Sequence, residues 1–294
     1  MLDYQLARRE EILLKAMNNR RNHDFFWRQI GGKIAPTPEV ANHIVAKARI
    51  ILDIIPQECR IIADIGCGQG AITNVLAERY ALIGVDISQE GLKHLSPETS
   101  PILASAGSIP LRDQSVDLVL SSELLEHLPD EVFLKAVSEI KRISRKYILI
   151  TVPDKENLRK RYTKCNACGA EFHIYGHLRA FNLSKLARYF DDYTIRYFTL
   201  CGVPDKKSFN ILSYLKNRLA NSYFSITSVS LLCPACGKVL DFSFKRNFVQ
   251  RVILFALTEL QRILNLLLKR KAEPDWLVVL FERGKESLEE GVPD

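Results

Sequence analysis

The chain has 294 residues, 47% hydrophobic and 26% charged, with a formal net charge of +7 and a pI near 9.0. That length holds one large α/β domain plus an insertion, or two modest domains. The composition is ordinary for a soluble globular protein, and neither a fixed-period repeat nor a low-complexity segment interrupts it. The positive surplus suits a nucleic acid, an anionic membrane surface or a negatively charged substrate, and equally an ordinary basic surface.

The first fifteen residues lack an apolar core behind a basic start, so they do not read as a secretory signal. No run approaches the roughly 18 apolar residues that span a bilayer. The most apolar stretch, 252–257, is followed by Thr258, Glu259, Gln261 and Arg262. A cytoplasmic address, with peripheral membrane contact left open, is the expectation. Thiols stay reduced there, so the seven cysteines read as metal ligands, catalysts or core residues before disulfides.

Residues 1–57 read as an N-terminal helical segment. Val40, Ile44, Val45, Ala48, Ile51, Leu52 and Ile55 recur at three- and four-residue steps and stop at Pro56. Strands are predicted near 60–65, 81–86, 100–104, 116–121 and 146–152, with helices near 69–79, 88–95 and 130–143. This alternation predicts an α/β fold, a parallel sheet with helices on both faces. After Pro153 come a Cys-rich segment at 165–177, a helix at 183–190 started by Asn182 or Ser184, and a strand near 193–200. The core is expected over 58–204, carrying the first cysteine pair. Residues 205–274 read as an insertion with the second pair and a helix near 246–270. A last core strand falls within 275–284, and 285–294 is a polar tail.

The sharpest motif is Asp64-Ile65-Gly66-Cys67-Gly68-Gln69-Gly70, just past the first strand, where parallel sheets bind ligands. Glycines let the backbone turn tightly and approach a ligand. The spacing is G-x-G-x-G, not the G-x-G-x-x-G of dinucleotide loops. An acid two residues ahead of the first glycine would repel a pyrophosphate, so Asp64 suits a ligand bearing an ammonium group. The strand 82–86 ends on Asp86, about 20 residues after Gly66, where an acid can accept both ribose hydroxyls of an adenosine. Either acid alone reads equally as a helix cap or surface residue; the pair in this order does not.

In these features the sequence resembles the class I S-adenosylmethionine-dependent methyltransferases, over roughly 58–153 and more weakly over 177–200 and 275–283. The resemblance includes Ile109-Pro110-Leu111 and the phrase from Ser115 through Ser121, Ser122, Glu123, Glu126 and His127 to Leu128. It implies a Rossmann-like, seven-stranded, mostly parallel sheet with the last strand antiparallel, and S-adenosylmethionine lying across strands one to four. On that basis Asp64 and the backbone of Gly66, Gly68 and Gly70 hold the methionine part. Asp86, with Ile87 beside it, holds the ribose, and Ser121 and Ser122 line the floor. Many relatives carry an acid at the end of the third strand; here Ser105 stands in that segment, a weaker acceptor, with Ala106 backbone as the other hold on adenine.

A sulfonium carries its own electrophile, so the protein mainly positions a nucleophile in line with the methyl group. If the acceptor must lose a proton, His127 is the best-placed base, with capping or packing of the next helix as its other reading. His173 and His177 are further candidates; His177 lies in Gly176-His177-Leu178-Arg179, a phrase relatives often carry where the substrate pocket closes.

Cys165-Asn166-Ala167-Cys168-Gly169 and Cys233-Pro234-Ala235-Cys236-Gly237 are two C-x-x-C-G knuckles. Two such turns complete a tetrahedral thiolate set, so all four cysteines are expected on one structural zinc ion. Redox pairs or buried thiols are the alternatives. Cys59, Cys67 and Cys201 read as unpaired.

Within 246–271, Val249, Val252, Ile253, Ala256, Leu260, Ile263, Leu264 and Leu267 form an apolar stripe beside Arg251, Arg262, Lys269, Arg270 and Lys271. It suits docking on the protein's own core, a homodimer contact or an anionic membrane. The leading functional expectation is methyl transfer to a small-molecule or lipid acceptor. An RNA or protein methyltransferase that docks through its zinc knuckles ranks second, because no aromatic-and-basic cluster for single strands is evident. A non-catalytic, cofactor-binding scaffold is third.

Overall fold

A computed structural model describes residues 38–202, 209–225, 231–269 and 272–284, without the side chains of 38–43. The expected helices within 1–37, the tail 285–294, and Arg270 and Lys271 lie outside the described residues. The first described helix, α1 (Pro38–Ile54), is followed by β1 (Ile61–Ile65), α2 (Thr73–Leu76), β2 (Ala81–Asp86), α3 (Gln89–Leu92), β3 (Thr99–Leu103) and β4 (Val116–Ser122). Next come α4 (Asp130–Ile143), β5 (Ser144–Pro153), the short strands β6 (Tyr162–Lys164) and β7 (Glu171–His173), α5 (Leu183–Ala187) and β8 (Tyr193–Cys201). Helices α6 (Asn210–Ala220) and α7 (Phe248–Leu267) precede β9 (Trp276–Arg283).

Seven strands form one sheet in the order β3-β2-β1-β4-β5-β9-β8. Strands β1 to β5 pair in parallel, and β9 runs antiparallel to both β5 and β8. This is the predicted Rossmann-like sheet with its antiparallel last strand. The chain winds outward through β1, β2 and β3, then returns to lay β4 on the other side of β1. The order therefore reverses between β1 and β4, the position beyond the strand carboxyl ends where open α/β sheets hold ligands in a crevice.

Strands β1, β4, β5 and β9 are near-continuous apolar runs because both of their faces are covered. Ala63, Ile65, Val119, Ile148, Ile150, Val279 and Phe281 face one layer with Phe133, Val137 and Ile140 of α4 and Leu186 of α5. Their neighbours Ile62, Leu118, Leu120, Leu149, Val278 and Leu280 face the other, against Ile51 and Ile55. Helix α4 carries Asp130 and Glu131 in its first turn and Lys141 and Arg142 in its last, both favourable to its dipole.

The predicted helices at 69–79 and 88–95 are shorter than expected. Gly70 is left-handed (φ +77°), which delays α2, and Ser88 caps α3 by accepting from the Gly91 amide at 3.1 Å. Asn182 is the cap that starts α5. Helix α6 and the β6–β7 hairpin were not anticipated. A third, small core joins Cys165, Ala170, Phe172 and Ile174 to Leu231, Cys233 and Leu240.

Helix α7 starts on an Asn247–Gln250 capping box. No residue of α7 is buried: its stripe does not enter the sheet's core. It touches α6, where Lys216 Nζ donates to Gln261 Oε1 at 3.0 Å. Phe248, Phe255 and Leu267 are 80%, 67% and 72% exposed. Among the described residues no helix is long and apolar enough to cross a membrane.

Candidate functional site

The glycine loop leaves β1 and turns under β2. Gly66, Gly68 and Gly70 all have positive φ (+78°, +54°, +77°), so alternate residues need a conformation that other L residues rarely adopt. The amides of Gly66 and Cys67 donate to the Val85 carbonyl at 2.7 and 3.2 Å. From above, Gly91 of α3 presses on the loop: a Cβ there would lie 2.8 Å from the Gly68 carbonyl oxygen. Cys67 is buried and burial pushes its thiol up, so it packs rather than reacts.

Asp64, 2% exposed, accepts from Thr73 Oγ1 through Oδ2 at 2.6 Å, while its buried Oδ1 has no hydrogen-bond partner. Burial pushes its carboxyl up to about 7. At the tip of β2, Asp86 accepts the Gly68 amide on Oδ2 and the Ser88 amide on Oδ1, both at 2.8 Å; the Ile87 amide also faces it. Burial raises its pKa, opposed by these amides. Each oxygen keeps a second lone pair for a hydroxyl. An unpaired buried carboxylate oxygen beside a cradle of glycines fits a cationic amino-acid head next to a ribose.

Ser105 and Ser108 bridge at the end of β3, where Ser105 Oγ accepts the Gly107 amide at 3.3 Å and Ala106 is half-buried. Ser121 is fully buried in β4 with no partner for its hydroxyl, and Ser122 Oγ lies 2.8 Å from Thr151 Oγ1. Glu123 follows in a left-handed turn (φ +53°) and takes Thr151 Oγ1 at 3.0 Å and the buried Lys47 Nζ at 3.1 Å. Leu124 closes on the glycine loop, its Cδ1 2.8 Å from where a Gly66 Cβ would stand.

The turn after β4 and the segment after β5 are bolted together. Arg179 donates to the carbonyls of Leu125 (2.8 Å) and Leu128 and to Asp130, and the Leu178 amide donates to the Glu126 carbonyl at 2.8 Å. This is the physical work of the Gly-His-Leu-Arg phrase: it brings His177 against His127, ring centroids 4.6 Å apart. His173 stacks on His177 at 4.4 Å. His177 Nδ1 is 2.5 Å from Glu156 Oε2, and His173 Nε2 faces Glu156 Oε1 at 3.3 Å. The His177 amide donates to His173 Nδ1 at 3.1 Å, which places the His173 proton on Nε2, toward Glu156. Burial holds His173 down to about 4; it works against Glu156, yet the two imidazoles hold that carboxyl well below its usual range. Glu126 is fully buried, and neither of its oxygens has a hydrogen-bond partner.

The four knuckle cysteines converge. Cys165 Sγ and Cys236 Sγ are 3.8 Å apart, Cys168 Sγ and Cys233 Sγ 3.7 Å. The turns are copies: Gly169 and Gly237 both sit at positive φ, and their amides donate to the Cys165 and Cys233 carbonyls at 2.8 Å. Amides of Ala167 and Cys168 face the Cys165 sulfur, and those of Ala235 and Cys236 face Cys233. Zn–S bonds of about 2.3 Å in a tetrahedron require sulfurs about 3.8 Å apart. No cysteine is in a disulfide, and Cys59, Cys67 and Cys201 stand apart in the core.

Sequence reasoning missed Lys47, Glu123 as its partner, Glu126 and Glu156. Glu123 and Glu126 both stand in the quoted phrase with His127; nothing local marks Lys47 or Glu156.

Residues 63–147 match the family described as methyltransferase domain. An uncharacterized protein of Methanocaldococcus jannaschii is 35% identical over 102 residues, 34% of this chain and 44% of that protein. A Mycobacterium tuberculosis protein named as a probable S-adenosylmethionine-dependent methyltransferase is 26% identical over 121 residues, 39% of this chain and 43% of that one. The chain thus spans less than half the length of these relatives. Among solved structures, a candidate methyltransferase from Bacillus halodurans superposes with a TM-score of 0.51 at 11% identity, covering 82% of this chain and all of that one, a likeness of fold. The matched residues 63–147 carry α4 and β2 to β4 of the Rossmann-like sheet, so the likeness to the methyltransferase-domain family falls on the half of the sheet that bears the glycine loop.

Proposed function

We propose that this chain transfers the methyl group of S-adenosylmethionine to a small-molecule or lipid acceptor. The observation that carries the reading is Asp64, a buried carboxylate whose Oδ1 has no hydrogen-bond partner, at the mouth of a glycine loop that Asp86 holds in place. Asp64 would take the cofactor's ammonium group, and the backbone of Gly66, Gly68 and Gly70 its methionine part. Asp86, beside Ile87, would take the ribose hydroxyls; Ser105, the Ala106 backbone, Ser121 and Ser122 would border the adenine and the floor. The cofactor supplies an electrophilic methyl; the protein's part is alignment, which can lower the barrier by roughly 7–11 kcal/mol. The reading assigns His127 and His177, whose ring centroids are 4.6 Å apart, to the acceptor.

The four cysteines are assigned to one structural zinc ion, supported by their sulfur spacings and by a donor set that supplies all four tetrahedral ligands. A lipid acceptor gains support from α7, whose apolar side is exposed above a groove lined by Phe244, Lys245, Arg246, Arg251 and Phe255. Such a surface suits an anionic membrane, with a homodimer contact as its rival.

Calorimetric titration of S-adenosylmethionine, beside Asp86→Ala and with NAD as control, tests the central reading. Binding by the native chain, weakened at least tenfold in the variant and absent for NAD, is expected. Silence toward S-adenosylmethionine, or a preference for NAD, would overturn it.

A further inference from the structure

We propose that Glu126, His127 and His177 form a divalent-metal site on the acceptor side of the crevice, with Glu156 and His173 as its supporting layer. One ligand atom from each of the three residues lies within 4.8 Å of the others, and His127 Nε2 is 3.9 Å from Glu126 Oε1. Metal–ligand bonds of about 2.0–2.2 Å span at most about 4.4 Å, so side-chain shifts under about 1 Å close the set.

Three features favour an ion over a packed cluster. First, Glu126 is 0% exposed with neither oxygen hydrogen-bonded, which burial relieves by holding the proton and a cation would relieve by displacing it. Second, His177 is oriented as metal-binding imidazoles are: its Nδ1 is engaged by a carboxylate, Glu156, which leaves Nε2 as the ring's lone-pair nitrogen. Third, His173 Nε2 lies 3.3 Å from the other oxygen of Glu156, and His173 Nδ1 accepts the His177 amide, so both imidazoles flank that carboxylate. Two imidazoles and one carboxylate suit zinc or a similar borderline ion and leave coordination open for another ligand.

Placement gives the site its consequence. Glu126 and His127 stand on the turn after β4, just beyond Leu124, which packs on Gly66. This part of the proposal rests on the methyltransferase reading, whereas the metal site itself does not. An acceptor hydroxyl or thiol bound at the open position would release its proton to water, because coordination lowers its pKa. The oxygen or sulfur lone pair would then form the new bond to the methyl carbon as the carbon–sulfonium bond breaks, its electron pair remaining on the cofactor sulfur. The site thus selects hydroxyl or thiol acceptors over carbon acceptors.

Cobalt(II) titration of the metal-stripped, reduced full-length protein tests this. The cysteine set reports through sulfur-to-cobalt charge-transfer absorption; the proposed site must add a second equivalent without it. Glu126→Gln and His177→Ala should each lose that second equivalent while the thiolate band persists. Glu156→Gln, a positioning change, should weaken it about 10–100-fold. Circular dichroism and S-adenosylmethionine calorimetry on the same variants separate loss of the ion from loss of fold or of the cofactor site. Cobalt bound by native protein through thiolates alone would overturn the proposal. So would a second equivalent undiminished in folded Glu126→Gln and His177→Ala.

Discussion

Thr73 donates its hydroxyl to Oδ2 of Asp64 across 2.6 Å, while Oδ1 of the same carboxylate has no partner. Burial raises Asp64 from 3.8 to about 7, so its charged form is the costly one in the cofactor-free protein. The folded state binds this proton more tightly than the unfolded chain. The stability it contributes is therefore full below about pH 4 and lost as pH rises through 7. Asp64→Asn should stabilise the cofactor-free protein at pH 8 by on the order of 2 kcal/mol and change it little at pH 4. The same variant should bind S-adenosylmethionine 10–100-fold more weakly, and native affinity should fall as pH drops from 8 to 6. Thermal melts and calorimetry at both pH values check this; a pH-independent affinity would sink the role given to Asp64.

Gly91 offers a probe of the glycine loop that touches no ligand-binding side chain. Alanine suits a helix better than glycine, yet its Cβ would stand 2.8 Å from the Gly68 carbonyl oxygen and 3.0 Å from its carbonyl carbon. Backbone cannot yield as a side chain can, so the loop must move, at a cost of about 1–3 kcal/mol. Gly91→Ala is expected to keep the sheet's circular dichroism and to lose at least tenfold in cofactor affinity. Unchanged affinity would mean that the loop's position does not set binding.

Much of this arrangement is written locally. The strands of the large sheet announce themselves mostly as apolar runs bounded by polar turns, and the glycine spacing with its two acids marks the ligand end of the sheet within some twenty consecutive residues. Helix α6 was illegible for a physical reason: its buried face mixes Leu212 and Ala220 with Ser213 and Asn217, while Ile211 and Leu219 are exposed, so apolar and inward do not coincide. Lys47 and Glu156, and the pairing of Glu123, were illegible because their partners come from distant segments. Lys47 reaches from α1 to Glu123 at 3.1 Å and over the Trp276 ring at 3.7 Å, a meeting of three separate stretches. His177 was readable as a candidate, but Glu156, which orients it, gains its role only where the segment after β5 folds back.

Removal of the metal proposed for the knuckles should separate the two parts of the protein. The Cys165, Cys168, Cys233 and Cys236 turns sit in a small core of their own, with Ala170, Phe172, Ile174, Leu231 and Leu240. Without an ion, four thiols at 3.7–3.8 Å lose the group that draws them together. Zinc analysis of the native chain should find an ion that Cys233→Ser loses. Limited proteolysis of the variant should then open 157–175 and 231–247 while the sheet resists. Equal resistance of both regions would show that the small core stands without metal.

Helix α7 yields the prediction with the least ambiguity about stability, because Val252 and Phe255 are 50% and 67% exposed and belong to no core. Replacing both with glutamate should shift stability by no more than about 0.5 kcal/mol. If the stripe lies on a membrane, native protein should sediment with anionic phospholipid vesicles and far less with neutral ones, since Lys245, Arg246 and Arg251 add charge attraction to apolar burial. The double variant should stay in the supernatant at the same lipid concentration. If the stripe pairs two copies instead, light scattering will show a native dimer that becomes monomeric in the variant, with no vesicle binding in either. A monomer that ignores both kinds of vesicle would remove α7 as an argument for a lipid acceptor. The small-molecule reading would then rest on the crevice alone.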